Sequence, residues 1–237
     1  MNLLDLIRHP HAFFGDLKGL PPVPWRYAWL PALAGLAGGI SGSLLSRPIL
    51  DSQALSLSGV PVAFLFALTI FGSVFFSMLM WLVLWGVGQL GAGKEGRSGE
   101  VYAASFLAPL LWSVVLAVLA LILPPQVNVV APKLAGLSGP ELLTAVQRYS
   151  QQVTAQYSLS PVVRLSSVMN YAIYLVQFWL AYIGFRIMTT TPETAAQPGP
   201  SARAWRGVLY PGTLFVMLGI VALLVTSAVA GLAGGLL

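Results

Sequence analysis

Cysteine is absent and charge is scarce: Lys, Arg, Asp and Glu together make up 8% of the 237 residues, against 57% that are hydrophobic. An ordinary soluble domain carries about 25% charge, so a water-soluble fold is excluded. No stretch is long and polar enough to form a separate soluble domain. Without cysteine there is no disulfide framework, thiol nucleophile or cysteine metal site. Histidine is nearly missing too, and the two present, His9 and His11, are spaced so that they do not face one another on a helix. Neither H-E-x-x-H nor G-x-S-x-G occurs. The acidic residues number seven, and none falls within an expected span, so a carboxylate pair, a proton relay or a buried-charge cation site lacks its parts. Composition therefore points away from an enzyme, and no metal or cofactor is expected.

What the chain has instead is apolar length. The runs Val60–Leu90 and Val101–Leu123 contain no charged residue, and each exceeds the roughly 20 residues that cross a hydrocarbon core about 30 Å thick. Between them lies GAGKEGRSGE, whose Lys94, Glu95, Arg97 and Glu100 call for water. The pair reads as a transmembrane hairpin with both inner ends on one side of the bilayer. Three more spans are expected. One covers about 25–45 and opens with Trp25, Tyr27 and Trp29, rings of the kind that settle among headgroups. The others cover 162–188, bracketed by Arg164 and Arg186, and 208–236. Pro109 frees a backbone carbonyl near residue 105 and predicts a kink there, with Ser105 placed to compensate. The expected fold class is thus an all-α membrane protein, a five-transmembrane-helix bundle forming a single domain over 1–237.

Two helices are expected outside the hydrocarbon. Near the N-terminus Asp5 and Arg8 interrupt the apolar run, so residues 1–24 do not read as a cleaved signal. From Pro10 onward, Phe13, Phe14 and Leu17 fall near one side and Asp16 and Lys18 towards another, which predicts a short interfacial helix on the membrane surface. Pro21, Pro22 and Pro24 then form an extended elbow. The second is an amphipathic helix over about 139–157, started by a capping box of Ser138 and Glu141. Its stripe is Leu142, Val146, Tyr149 and Val153, with Gln147, Arg148, Gln151 and Gln152 off it. Residues 46–59 read as a loop.

With the N-terminus on one side, Arg8, Lys18, Arg26, Lys94, Arg97, Arg186, Arg203 and Arg206 fall together, and Arg47, Lys133, Arg148 and Arg164 fall opposite. The positive-inside rule then places the N-terminus in the cytoplasm, and the amphipathic helix and C-terminus outside. This dispersal at span ends also speaks against a nucleic-acid surface, which would cluster basic residues with aromatics on one face.

Few motifs carry chemistry. Gly88, Gly93 and Lys94 spell the start of a phosphate-binding loop, but Glu95 stands where Ser or Thr belongs and a membrane helix precedes it. In span four, Ser167, Asn170, Tyr174 and Gln177 share a helical face continued by Ala181 and Gly184. An amide in hydrocarbon needs a partner, so the stripe serves either interhelical hydrogen bonding or a polar path for a lipid headgroup or other cargo. Pairs of small residues four apart, Gly35 with Gly39, Gly38 with Gly42, and Ser227, Gly231 and Gly235, offer faces where another backbone could approach closely.

Pro10, Phe13, Phe14 and Leu17 form a P-x-x-F-F-x-x-L stretch ahead of the proline elbow, and the Gly-rich knot leads into a span with Tyr102, Ala103 and Pro109. In these features and in the five-span count the chain resembles the Yip-type membrane family, the Ypt/Rab-interacting proteins and their prokaryotic relatives. The D-L-Y-G-P signature and the long acidic or aromatic N-terminal region of the eukaryotic members are absent, which speaks against small-GTPase binding and towards a bacterial or archaeal plasma-membrane relative. The resemblance implies a non-enzymatic scaffold or adaptor in membrane organisation or trafficking. Its expected partners are membrane lipids and a second copy or another membrane protein. A transporter, channel or lipid-translocating protein using the span-four stripe is the competing class.

Overall fold

The computed structural model describes residues 3–56, 60–132, 138–190 and 202–217. Among them every regular element is a helix. Two short helices, α1 (Leu3–Arg8) and α2 (Pro10–Lys18), precede α3 (Trp29–Leu45) and α4 (Arg47–Ser56). The long α5 (Val62–Ala92) ends in a single 3-10 turn at Lys94–Gly96, followed by α6 (Ser98–Ser105) and α7 (Leu107–Ile122). Then come α8 (Pro140–Leu159), α9 (Pro161–Thr189) and a last helical stretch, α10, over 202–217.

Three of these stretches are long and apolar enough to cross a membrane: Val62–Ala92, Lys94–Ile122 and Pro161–Thr189. The first expected span is different. Its helix starts at Trp29 rather than Trp25 and ends at Leu45, and it reaches span length only together with α4, from which it is bent by 70°. Pro48 supplies the reason, since it has no amide to offer the preceding turn and so stops α3 from continuing. Residues 47–56, expected as loop, are therefore helix. The described residues thus hold three such helices, or four if the bent pair is one span, where five were expected. Of the fifth, 208–236, the described residues 208–217 are helical, as are residues 202–207 of the expected linker. Residues 218–236, including Ser227, Gly231 and Gly235, lie outside the described residues. In the third span the helix breaks at Phe106, whose amide bonds to Ala103 at 3.3 Å, three residues back from it and three before Pro109.

The chain divides into two compact units: residues 1–26, 81–102 and 178–237 form the first, and 27–80 with 103–177 the second. In the first, Phe13, Phe14 and Leu17 of α2 are fully buried, as are Trp81, Tyr102, Leu180 and Phe185. The apolar face expected to rest on lipid is thus covered by protein. Gly184 makes this possible: a Cβ there would stand 2.9 Å from the Phe14 ring and 2.7 Å from Val101.

In the second unit α3 packs on α7, and α4 on α8. Leu45, Leu116, Ala120 and Val162 make a buried cluster. On α8 the stripe residues Val146 and Val153 are buried while Gln147, Arg148, Gln151 and Gln152 are exposed. The expected capping box does not form. Gly139 stands at the N-cap with φ 55°, and no side chain caps the helix.

Candidate functional site

Each unit holds one polar constellation, and the two are built on opposite terms. In the first unit the knot read as a solvated turn is largely buried. Gly93, with φ 76° and ψ 178°, closes α5 in a region of backbone space that is essentially glycine's alone. Arg97 follows in the left-handed conformation, φ 50°, which a non-glycine residue holds only where its surroundings fix it. Here they do. Its Nη1 donates to the carbonyls of Leu17 at 2.7 Å and Leu20 at 2.9 Å, and its Nη2 to that of Pro21 at 3.2 Å. Its Nε pairs with Glu100.

Glu100, whose side chain is 1% exposed, also receives Arg26 at 3.2 Å and the Val23 amide at 3.3 Å. This carboxylate lies in the first turn of α6, one residue before the expected span 101–123, where a solvated turn was expected. Ion pairing resolves the cost of burying it. The clasp is extended by Trp81 Nε1, which donates to the Gly99 carbonyl at 3.0 Å, and by Ser98 Oγ, which donates to that of Trp85 at 2.9 Å. Trp25 meets both Trp81 and Trp85 edge-on, with centroids 5.1 and 5.3 Å apart. Tyr102 donates to the Gly207 carbonyl at 2.8 Å and so holds α10. The incipient phosphate-loop motif forms no cradle: Gly88 packs against the Tyr102 ring and Lys94 is exposed in the 3-10 turn.

The second unit contains a cleft of about 240 Å³ among α3, α5, α7 and α9, with Tyr157 of α8 on its wall. No lining residue is charged. Some of its polar groups are already bonded. Trp112 Nε1 donates to Asn170 Oδ1 at 2.8 Å, the Ser46 and Tyr157 hydroxyls meet at 3.4 Å, and the Ser41 and Ser166 hydroxyls bond to carbonyls of their own helices. Ser73, Ser113 and Tyr174 also line it.

The four stripe residues therefore separate. Asn170 and Tyr174 line the cleft; Ser167 points its hydroxyl back to the Val163 carbonyl at 3.0 Å; Gln177 is buried, and its Nε2 has no partner among the described residues. The glycine pairs separate as well. A Cβ on Gly35 would stand 2.6 Å from the Val74 Cα, and one on Gly39 2.7 Å from the Ile70 Cα, so this face is closed against α5 of the same chain. Ser77 seals it by donating to the Pro31 carbonyl at 2.7 Å. Gly38 and Gly42 face the cleft instead.

Missed in the sequence were Glu100 with Arg26 and Arg97, and the cleft residues on α5 and α7. For the first there was a signal: an acid at the mouth of a span, with basic residues flanking both it and the proline elbow. Among the described residues no group of three His, Asp or Glu side chains could hold a metal ion. Comparison with family models, curated proteins and solved structures finds no match to this chain.

Proposed function

We propose that the protein is a non-enzymatic scaffold or adaptor of Yip type in a prokaryotic plasma membrane, with its N-terminus in the cytoplasm and its C-terminus outside. The clasp carries this reading. By tying the N-terminal segment to the end of the helical hairpin, it makes a fixed frame from which the exposed Lys94 and the Glu95–Arg203 pair are presented. A frame whose buried charges all serve structure suits a platform better than a reaction centre. The basic residues support the orientation: eight lie at the span ends expected in the cytoplasm and four at those expected outside. Self-association is left to faces other than Gly35–Gly39, which α5 occupies.

The uncharged cleft favours a second reading, passage of a polar group along α9. Reconstitution into liposomes with fluorescent lipids and ion-sensitive dyes separates the two. The scaffold reading expects no protein-dependent flux, and flux abolished by Asn170→Leu with Gln177→Leu would displace it. Orientation is checked with Lys94→Cys and Gln152→Cys, both at exposed positions. An impermeant thiol reagent applied outside intact cells should label the second and spare the first. Ser98, buried and bonded to Trp85, is unsuited to such labelling.

A further inference from the structure

In the cleft of the second unit, four polar groups have no hydrogen-bond partner among the described residues: the hydroxyls of Ser73, Ser113 and Tyr174 and the Asn170 Nδ2. All four belong to helices apolar and long enough to cross a membrane; Ser73 and Ser113 are half-buried there, where an unpaired hydroxyl is costly, while Asn170 and Tyr174 lie at the exposed rim. Two of them converge. The place where a Cβ of Gly38 would stand lies 3.5 Å from Ser73 Oγ and 3.6 Å from Ser113 Oγ, so the missing side chain leaves a gap flanked by hydroxyls of α5 and α7. Next to it, nothing stands within 4 Å of the corresponding position on Gly42.

The chemistry of the lining selects the occupant. With no Lys or Arg on the wall there is no counter-charge for phosphate or carboxylate, and with no Asp or Glu there is none for a cation. Hydroxyls both donate and accept, and they are best matched by other hydroxyls. The rings of Trp112, Tyr157 and Tyr174 add apolar walls suited to a carbon skeleton. At about 240 Å³ the cleft falls below the roughly 300–1,000 Å³ of sites for drug-sized ligands, which fits a glycerol unit or a single sugar ring. We propose that this cleft binds an uncharged, hydroxyl-rich moiety of that size, supplied either by a free polyol or by the headgroup of a neutral lipid. The proposal concerns occupancy, not flux, and stands apart from both functional readings above.

The test uses the full chain purified in a zwitterionic detergent that carries no hydroxyl. Dioctanoylglycerol, its monoglucosyl derivative and dioctanoyl phosphatidate are offered under native mass spectrometry, and radiolabelled glycerol under equilibrium dialysis. Two variants accompany the wild type: Gly42→Leu, which fills the open space, and Ser73→Ala with Ser113→Ala, which keeps the space and removes the hydroxyls. Binding of the neutral lipids or of glycerol, weakened at least tenfold in either variant that keeps the wild-type melting temperature, supports the site. Which probe binds then names the source. Equal binding by wild type and a folded variant, phosphatidate bound as tightly as the neutral lipids, or no binding by any probe would overturn it.

Discussion

The clasp and the cleft are both polar sites in an apolar chain, yet one is closed and the other open. At the clasp the Glu100 carboxylate and the Arg97 guanidinium meet partners on several sides, two carbonyls and a carboxylate among those of the arginine alone. At the cleft, hydroxyls of three helices face space. The difference follows from charge. A buried carboxylate is tolerated only when paired and hydrogen-bonded, so the chain around it is fixed. Neutral hydroxyls exact a smaller penalty and can be left open to a ligand. Helix α3 marks the same contrast: Gly35 and Gly39 are pressed onto α5, whereas Gly38 and Gly42 border the opening.

If the clasp is structural, breaking it should give the largest loss of stability. Glu100→Ala leaves Arg97 and Arg26 without their shared partner and should cost about 3–5 kcal/mol, read as a lowered melting temperature in detergent and loss of the folded protein from membranes. A change under about 1 kcal/mol would mean that water replaces the carboxylate and that the two sites are not different in kind. Next in size are Gly35→Ala and Gly39→Ala. Each added methyl would press on α5 backbone, which has no flexible end to move aside, and each should cost about 1–3 kcal/mol by overpacking.

The contrast was only partly legible in the sequence. The apolar runs at 60–90 and 101–123 were, because the thickness of a bilayer imposes a length that one segment must satisfy alone. A break in the helix near residue 105 was too, because Pro109 acts on its own backbone. The clasp was not, because a knot with four charges looks solvated until Arg26 and the carbonyls of residues 17–21 are brought to it by folding. Helix α4 escaped for a similar reason: RPILDSQALS is short and only weakly apolar, and its support comes from α8. Glycines four apart were visible as pairs. Which pair would be covered depended on how α5 is rotated against α3, and no local pattern sets that.

The smaller effects sharpen the open side of the comparison. Trp112→Phe removes the indole N–H that meets Asn170 and keeps an aromatic wall. Interhelical hydrogen bonds in membranes average about 0.6 kcal/mol and reach about 1.7, so its melting temperature should fall less than that of Gly35→Ala. A fall as large as that of Glu100→Ala would show the cleft to be a structural network and not a vacant site.

Gly42→Ala should have the smallest effect, and its sign is informative. The added methyl meets nothing within 4 Å, and replacing glycine inside a helix gains about 0.5–1 kcal/mol from backbone entropy, so the unliganded variant should melt at or slightly above the wild-type temperature. Gly39→Ala makes the same entropy gain and should still melt lower, because there the methyl has backbone in its way. The two variants differ in nothing but which side of α3 receives a single carbon. If both were destabilised alike, Gly42 would be packed in the membrane, and the opening beside it would close when the helices settle into lipid.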